Sequence, residues 1–460
     1  MRPVLLSQIA QWSEGRHLGP DVTIESVSTD SRTIVPGALF VALRGENFDA
    51  HDMVAQAQLR GAAALLLHRD VATDLPRVLC ADTQEALGEF AAGMQKERPA
   101  VVVALTGSNG KTSVKMLTQA ILSRAGRTYF NPGNRNNEIG LPLAVIEAPE
   151  DAQFAIYEMG AGKPGDIAYL ASIVPPQVAL VNNIAPAHIE RLGSLLGIAE
   201  TKGAIYEALP DDGVAVINAD DTFAPFFAQI VGNRRSFRFG IENDADVHAS
   251  RLRFDAYGSR FMLHTPAGNA DIVLPLPGTH SVMNALAASA LSLAAGADFD
   301  AIVQGLQGAE PVKGRQVSHA LANGAVIIDD SYNANPGSVL AAIATLAQSG
   351  GEAWLVLGDM AELGEGAARM HAEIGENARS AGIKRVWTVG KISAAASSTF
   401  GVGAEHFNSQ KQLVDALEEG LRIRGGRGLR VLIKGSRSSA MDKVVTALLD
   451  INPGETGHAA

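Results

Sequence analysis

Apolar positions along the chain fall into short runs separated by longer amphipathic stretches. Val101-Val102-Val103-Ala104-Leu105 is wholly apolar, as expected of a parallel strand buried on both faces. A glycine-rich turn follows it, and the spacing over Lys111–Arg124 then predicts an amphipathic helix. Further strands are predicted at Phe154–Met159, Val178–Val181 and Val214–Ile217, with helices over Asp166–Ser172 and Ser194–Leu209 between them. Strands alternating with helices argue for a doubly wound sheet. Residues 235–275 read as short strands forming an antiparallel edge, and Ser281–Ala295 as an alanine-rich helix.

A smaller α/β pattern precedes this block. It has a turn at Pro36-Gly37, strands at Ala38–Leu43 and Ala62–Leu67, and a helix over Met53–Arg60. The polar, proline-ended stretch Lys96–Pro99 suggests a boundary. After Gly314 the alternation resumes, with strands at Ala325–Ile328, Ala353–Leu357, Arg385–Val389 and Arg430–Ile433. The expected architecture is α/β in three domains. These are a small N-terminal domain over 1–97, a central phosphate-loop domain over 98–314, and a Rossmann-like domain over 315–460. The tail from Asn452 is expected to fray.

Length agrees with that division, since 460 residues suggest about three domains. With 47% apolar and 19% charged residues, the chain is not disordered. A net charge of −11 argues against wrapping nucleic acid. The single cysteine, Cys80, excludes an internal disulfide and a cysteine-rich zinc site. Met1–Trp12 does not read as a secretory signal, and no apolar stretch approaches the ~18 residues of a membrane span. A soluble, cytosolic protein is expected.

The sharpest local signal is Thr106-Gly107-Ser108-Asn109-Gly110-Lys111-Thr112, which leaves a buried strand and opens a helix. Glycines let backbone N–H groups face phosphate oxygens, and the helix N-terminus adds a favourable field. Lys111 can reach terminal phosphates, and the Thr112 hydroxyl can ligate magnesium. The general pattern is only partly met, because Leu105 stands where its first glycine would be. Glu158 ends a predicted strand, where ligands face the crevice of such sheets; the lesser alternative is a cap on the next helix. His188 also follows a strand, but a lone histidine is more often structural than a ligand. Lys202 alone reads as a surface lysine.

Together these motifs resemble the Mur ligase family, the ATP-dependent amide ligases of peptidoglycan precursor synthesis, over nearly the whole chain. In that family Gly-x-x-Gly-Lys-Thr/Ser is the normal loop, so Leu105 is expected. The resemblance implies that Glu158 and His188 help bind magnesium and that Lys202 is carbamylated. A carbamate would replace a cation with an anionic oxygen pair, making the lysine a magnesium-side ligand. Gly278-Thr279-His280-Ser281-Val282-Met283-Asn284 resembles the family's Gly-x-His-x-x-x-Asn segment, implying nucleotide contacts by His280 and Asn284. Lys313-Gly314-Arg315 resembles the hinge into the last domain, with Arg315 offsetting charge on the transferring phosphoryl group.

Three stretches resemble the branch that joins D-alanyl-D-alanine to UDP-N-acetylmuramoyl-tripeptide. They are Asp329–Pro336, Leu357–Gly364 with His371 after it, and Asn131–Gly140; Lys434–Arg437 fits the same branch. This implies ATP contacts at Asp330 and substrate contacts at Tyr332, Asn333, Asn335, Asn134, Asn136 and Asn137. Ser28, Thr29, Asp30, Ser31, Arg32 and the segment from Gly45 to Met53 resemble the uridine diphosphate site. There Asp49-Ala50-His51 stands for the family's Asp-Gly-His, and alanine takes positive φ less freely than glycine. The implied chemistry is activation of a carboxylate as an acyl phosphate, followed by amine attack. ATP and magnesium are the implied cofactors, and a monomer without nucleic acid or membrane insertion is implied. Closure is expected to bring Arg315, Asp330, Asn333 and Asn335 to the phosphate loop. His188 is a candidate general base only if it does not bind metal. Rival readings are another ligase of the superfamily, a folylpolyglutamate synthase, a phosphate-loop switch or motor, and a nucleotide-sugar-binding regulator.

Overall fold

The computed structural model describes residues 1–186, 189–255 and 257–451. The predicted frayed tail from Asn452 lies outside them. The architecture is α/β and is organised around three main sheets.

The N-terminal sheet has five strands in the order Arg16–Leu18, Arg77–Leu79, Ala64–Leu67, Ala38–Val41, Ser26–Ser28. All neighbours are parallel except the first pair. Ala38–Val41 and Ala64–Leu67 are wholly buried, which explains their unbroken apolar runs. Helix Thr83–Lys96 is capped by Asp82, whose side chain accepts from the backbone N–H groups of Gln84 and Glu85. Its apolar stripe of Ala86, Leu87, Phe90, Ala91 and Met94 packs in one cluster with Val102, Ala104 and Tyr157 of the next sheet. Tyr157 Oη also donates to Gln95 Oε1 at 3.0 Å. The stretch Lys96–Pro99 therefore joins two sheets that share a core.

The central sheet has nine strands, ordered Gly268–Leu274, Ser259–Thr265, Val247–Phe254, Arg235–Gly240, Val214–Asn218, Val178–Val181, Val101–Thr106, Phe154–Glu158, Thr128–Phe130. Strand pleating divides Val101–Thr106 between two cores. Val102 and Ala104 face the first cluster, while Val103 and Leu105 face helices Lys111–Ala125 and Thr279–Ala294. One expectation needs correcting. Arg235–Gly240 is parallel to Val214–Asn218, and Val247–Phe254 starts parallel to it, so the antiparallel edge begins only with the hairpins after Val247. Helix Ala224–Val231 carries the chain back before Arg235, which sets that strand's direction; alternation of side chains does not encode it.

The C-terminal sheet has six strands, ordered Val317–Ala320, Val326–Asp330, Leu429–Lys434, Glu352–Gly358, Arg385–Val389, Ala404–Phe407. It is parallel apart from the Val317–Ala320 edge. Leu355 and Leu357 bury on one face, and Trp354 and Val356 on the other. The two outermost strands were missed by the sequence reading; their half-exposed, polar residues give no apolar run.

Candidate nucleotide and ligation site

Strand Val101–Thr106 ends at the phosphate loop. Thr106 is fully buried, and its hydroxyl donates to the Met159 carbonyl at 2.8 Å, pinning the strand to its neighbour. The loop itself hangs on Asn182 and Asn183. Ser108 N donates to Asn183 O at 2.9 Å, Asn109 N to Asn183 Oδ1 at 2.8 Å, and Asn182 Nδ2 to Asn109 O at 2.9 Å. Asn182 Nδ2 also reaches Asn284 Oδ1 at 3.2 Å, which draws in helix Thr279–Ala294. Gly110 has φ +78°, and a Cβ there would meet Asn284 Oδ1 at 2.5 Å and Asn182 Nδ2 at 2.6 Å. Only glycine satisfies both the left-handed backbone and that contact.

Helix Lys111–Ala125 starts directly from this turn. Lys111 Nζ donates to Gly107 O at 2.7 Å. Thr112 Oγ1 donates to Glu158 Oε2 at 2.9 Å, and Asn136 Nδ2 donates to Glu158 Oε1 at 2.7 Å. Glu158 is 2% exposed. Burial pushes its pKa up, but the ammonium groups of Lys115 and Lys111 outweigh this and hold it below the ordinary carboxylate value. The result is a buried, ionised carboxylate beside a hydroxyl, an oxygen pair suited to a hard divalent cation.

A cavity of about 350 Å³ opens over this loop. Its walls include Ser108–Thr112, Glu158, His280, Asn284 and Arg315, together with Asp330, Asn333, Asn335 and Lys434 of the C-terminal sheet. Arg315, Asp330, Asn333 and Asn335 thus share this cavity with the loop. Arg315 Nη2 donates to Thr112 Oγ1 at 3.1 Å, and its guanidinium lies 4.4 Å from the Tyr332 ring centre. Asn335 Nδ2 donates to Asn109 Oδ1 at 2.7 Å, while its Oδ1 caps helix Pro336–Gln348. His280 Nδ1 lies 3.2 Å from Thr345 Oγ1, and burial pushes the imidazole down to about 4, so it is neutral. Lys434, 3% exposed at the end of its strand, donates to Asp330 Oδ2 at 2.7 Å and to Asn333 O at 2.9 Å.

Other candidates lie elsewhere. Tyr332 supports Arg315 and does not line the cavity. Asn137 Oδ1 accepts from Gly140 N at the start of helix Gly140–Glu147, and Asn134 O accepts from Asn136 N. Those two asparagines stand outside the cavity wall, and of the loop's predicted residues Asn136 alone bonds to Glu158. The surface reading of Lys202 is corrected: helix Leu195–Glu207 buries it to 2% exposure. Burial and then the Lys111 ammonium lower its pKa well below the ordinary lysine value. His188 lies outside the described residues. Sequence reasoning assigned no role to Asn182, Asn183, Lys115 or Lys434. Only the strand-end positions of Asn182 and Lys434 offered a signal.

A second depression, in the N-terminal unit, is lined by Thr29, Asp30, Ser31, Arg32, Phe48, Asp49 and Gln56 among others. Ser28 is not in its wall; the Ser28 hydroxyl donates to Asp30 O at 2.9 Å and shapes the turn. Gly45 lies under the Phe48 ring, which fills the place a side chain would take. Ala50 sits in the right-handed turn Ala50–Met53, so the glycine of the family pattern is not needed there.

Three family patterns match in chain order. They are the Mur ligase family catalytic domain over residues 23–95, the Mur ligase middle domain over 105–292, and the Mur ligase glutamate ligase domain over 314–437. The UDP-N-acetylmuramoyl-tripeptide–D-alanyl-D-alanine ligase of Escherichia coli K12 is 46% identical over 97% of this chain and 99% of its own length. A crystal structure of MurF from Acinetobacter baumannii superimposes with a TM-score of 0.94 at 33% identity, covering 98% of this chain and 99% of that one. MurF ligase from Thermotoga maritima, solved with ADP, gives a TM-score of 0.84 at 26% identity, covering 93% of this chain and 97% of that one. Phosphate loop, bridging carboxylate and convergent C-terminal residues agree with these likenesses, and the chain belongs to the Mur ligase family.

Proposed function

We propose that this chain joins D-alanyl-D-alanine to UDP-N-acetylmuramoyl-tripeptide, with cleavage of ATP to ADP and phosphate. One observation carries the reading. The phosphate loop and the signature residues Asp330, Asn333 and Asn335 face one cavity, so a nucleotide and an acceptor amine can meet there. In this scheme residues 98–314 bind ATP, 1–97 hold the uridine diphosphate end around Thr29–Arg32, and 315–460 receive the dipeptide. The reaction belongs to the cytoplasm, in keeping with the lack of any helix long and apolar enough to cross a membrane among the described residues.

The chemistry follows from what a carboxylate lacks. It is a poor electrophile at neutral pH. A carboxylate oxygen of the tripeptide attacks the γ-phosphorus, ADP leaves, and an acyl phosphate forms. The dipeptide amine then attacks the carbonyl carbon, phosphate departs with that oxygen, and the ammonium proton is lost. Lys111, in the loop, and Arg315, held on Tyr332, supply positive charge where the phosphoryl group carries negative charge. Asn284 and neutral His280 line the nucleotide side, and Asn335 ties the acceptor side to Asn109. Ordering both substrates supplies much of the remaining rate.

The donor set fits magnesium. Thr112 Oγ1 and the ionised Glu158 would hold it, and it would neutralise triphosphate charge. His188, outside the described residues, completes the proposed set. Lys202 does not line the cavity, and a carbamate on it is proposed from its burial and the chemistry of its amine alone. Its buried amine is pushed toward the neutral form that adds carbon dioxide, and the product would supply an anionic oxygen pair.

The test is phosphate release from ATP with UDP-N-acetylmuramoyl-tripeptide, with and without D-alanyl-D-alanine. Single D-alanine and L-glutamate serve as acceptor controls. Release that requires both substrates supports the reading. Equal release without acceptor would make the chain a hydrolase and overturn it.

A further inference from the structure

Lys115 is 1% exposed, one helical turn beyond Lys111 on the same face of helix Lys111–Ala125. It does not line the nucleotide cavity. Its ammonium donates to Asn131 O at 2.9 Å and to Gly133 O at 3.1 Å, and lies 3.4 Å from Glu158 Oε2. A buried ammonium is retained only where its donors are matched, and here the oxygens around it belong to the 131–137 loop and to Glu158, with the Phe130 ring 6.0 Å away.

Asn131 completes the same join from the loop side. It is fully buried; its Oδ1 accepts from Glu158 N at 2.9 Å, and its Nδ2 donates to Glu158 O at 3.0 Å and to Arg135 O at 2.8 Å. Asn136 returns to Glu158 Oε1 from the far end of the loop. Helix, loop and carboxylate are therefore held as one piece, with Lys115, on the helix, bonded to the loop and placed beside the carboxylate. No hydrophobic residue of similar volume could satisfy the two loop carbonyls.

We infer that Lys115 is a positioning residue for the UDP-linked peptide substrate, fixing the 131–137 loop and Glu158 in one arrangement without touching ATP. The inference rests on the ligase reading above and on the substrate contacts that the resemblance implies for Asn134, Asn136 and Asn137 of this loop. Binding of that peptide and the setting of Glu158 then depend on the same ammonium.

The experiment uses full-length protein and steady-state kinetics in all three substrates. Lys115→Met should lower kcat/KM for the UDP-tripeptide by about 10- to 100-fold, the usual effect of removing a group that orients a metal-site carboxylate. KM for the dipeptide should stay within about threefold, as should the dissociation constant for ATP measured without magnesium. In a cycle with Asn136→Ala the two effects should be strongly non-additive, because both act on the same loop-to-carboxylate link. If Lys115→Met does not fold, Lys115→Arg carries the test, because it keeps the charge and changes the reach; the same substrate split should appear with smaller amplitude. Parallel rises in KM for all three substrates, or a UDP-tripeptide KM within about twofold of wild type at unchanged kcat, would overturn the inference. Wild-type protein that fails to ligate would overturn the ligase reading itself, whereas ligation by wild type with unselective variants would overturn only the role of Lys115.

Discussion

Replacing Arg315 with alanine removes the guanidinium that bridges the two halves of the cavity. In the structure this group has two supports: a hydrogen bond to Thr112 Oγ1 at 3.1 Å and the Tyr332 ring at 4.4 Å. Loss of one preorganised donor aimed at developing charge costs about 2.7–4 kcal/mol, or ~10²–10³ in kcat. The ring contact is a separate, smaller quantity. Tyr332→Leu keeps the guanidinium but removes its platform, at a cost of about 1 kcal/mol and a roughly fivefold fall in kcat. Arg315→Lys keeps charge without the planar fork, so it should fall between the two. The assay is coupled ADP release at saturating substrates, with ATP affinity measured by calorimetry. The expected pattern is a large loss in kcat and less than a tenfold change in ATP affinity. An Arg315→Ala enzyme within threefold of wild-type kcat would refute the reasoning, as would a loss confined to ATP binding.

Three further outcomes follow from the geometry. Gly110→Ala should destabilise the protein by about 1–2 kcal/mol from the left-handed backbone alone. It should also abolish ATP binding, because the methyl displaces Asn182 and Asn284; urea midpoints and calorimetry check both. Asn335→Ala removes the Asn109 bond and a helix cap, costing about 1 kcal/mol. It should also raise the radius of gyration in small-angle scattering, and an unchanged radius would argue against the contact as a latch. Asp49 is opposed by burial, but hydrogen bonds from the His51 backbone and imidazole and from Arg69 lower it from 3.8 to about 2. A depressed carboxylate pKa stabilises the fold above the unfolded value and loses that contribution as pH falls from about 4 to about 2. Asp49→Asn should therefore flatten the acid limb of thermal stability in that window.

The phosphate loop was legible because its chemistry is local: an apolar strand, glycines and a helix start lie within a dozen residues. The asparagine stretches were legible as patterns, yet their positions were not. Asn182 and Asn183 hold the loop from a strand far along the chain, and Asn335 reaches Asn109 from another sheet. Lys115, Lys202 and Lys434 show the limit most clearly. Lys202 alone reads as a surface lysine and the other two were given no role, yet each is buried, because burial is decided by which elements pack over it. Strand direction at Arg235–Gly240 and the core shared across Lys96–Pro99 were hidden for the same reason.

The central claim is that ATP drives amide formation through an acyl phosphate. Its most direct test is to label the terminal tripeptide carboxylate with heavy oxygen and follow the label by mass spectrometry. The account predicts one labelled oxygen in the released phosphate, together with a product that keeps the other label and is heavier than the labelled UDP-tripeptide by the dipeptide less one heavy-oxygen water. Unlabelled phosphate, with the tripeptide recovered intact, would contradict it.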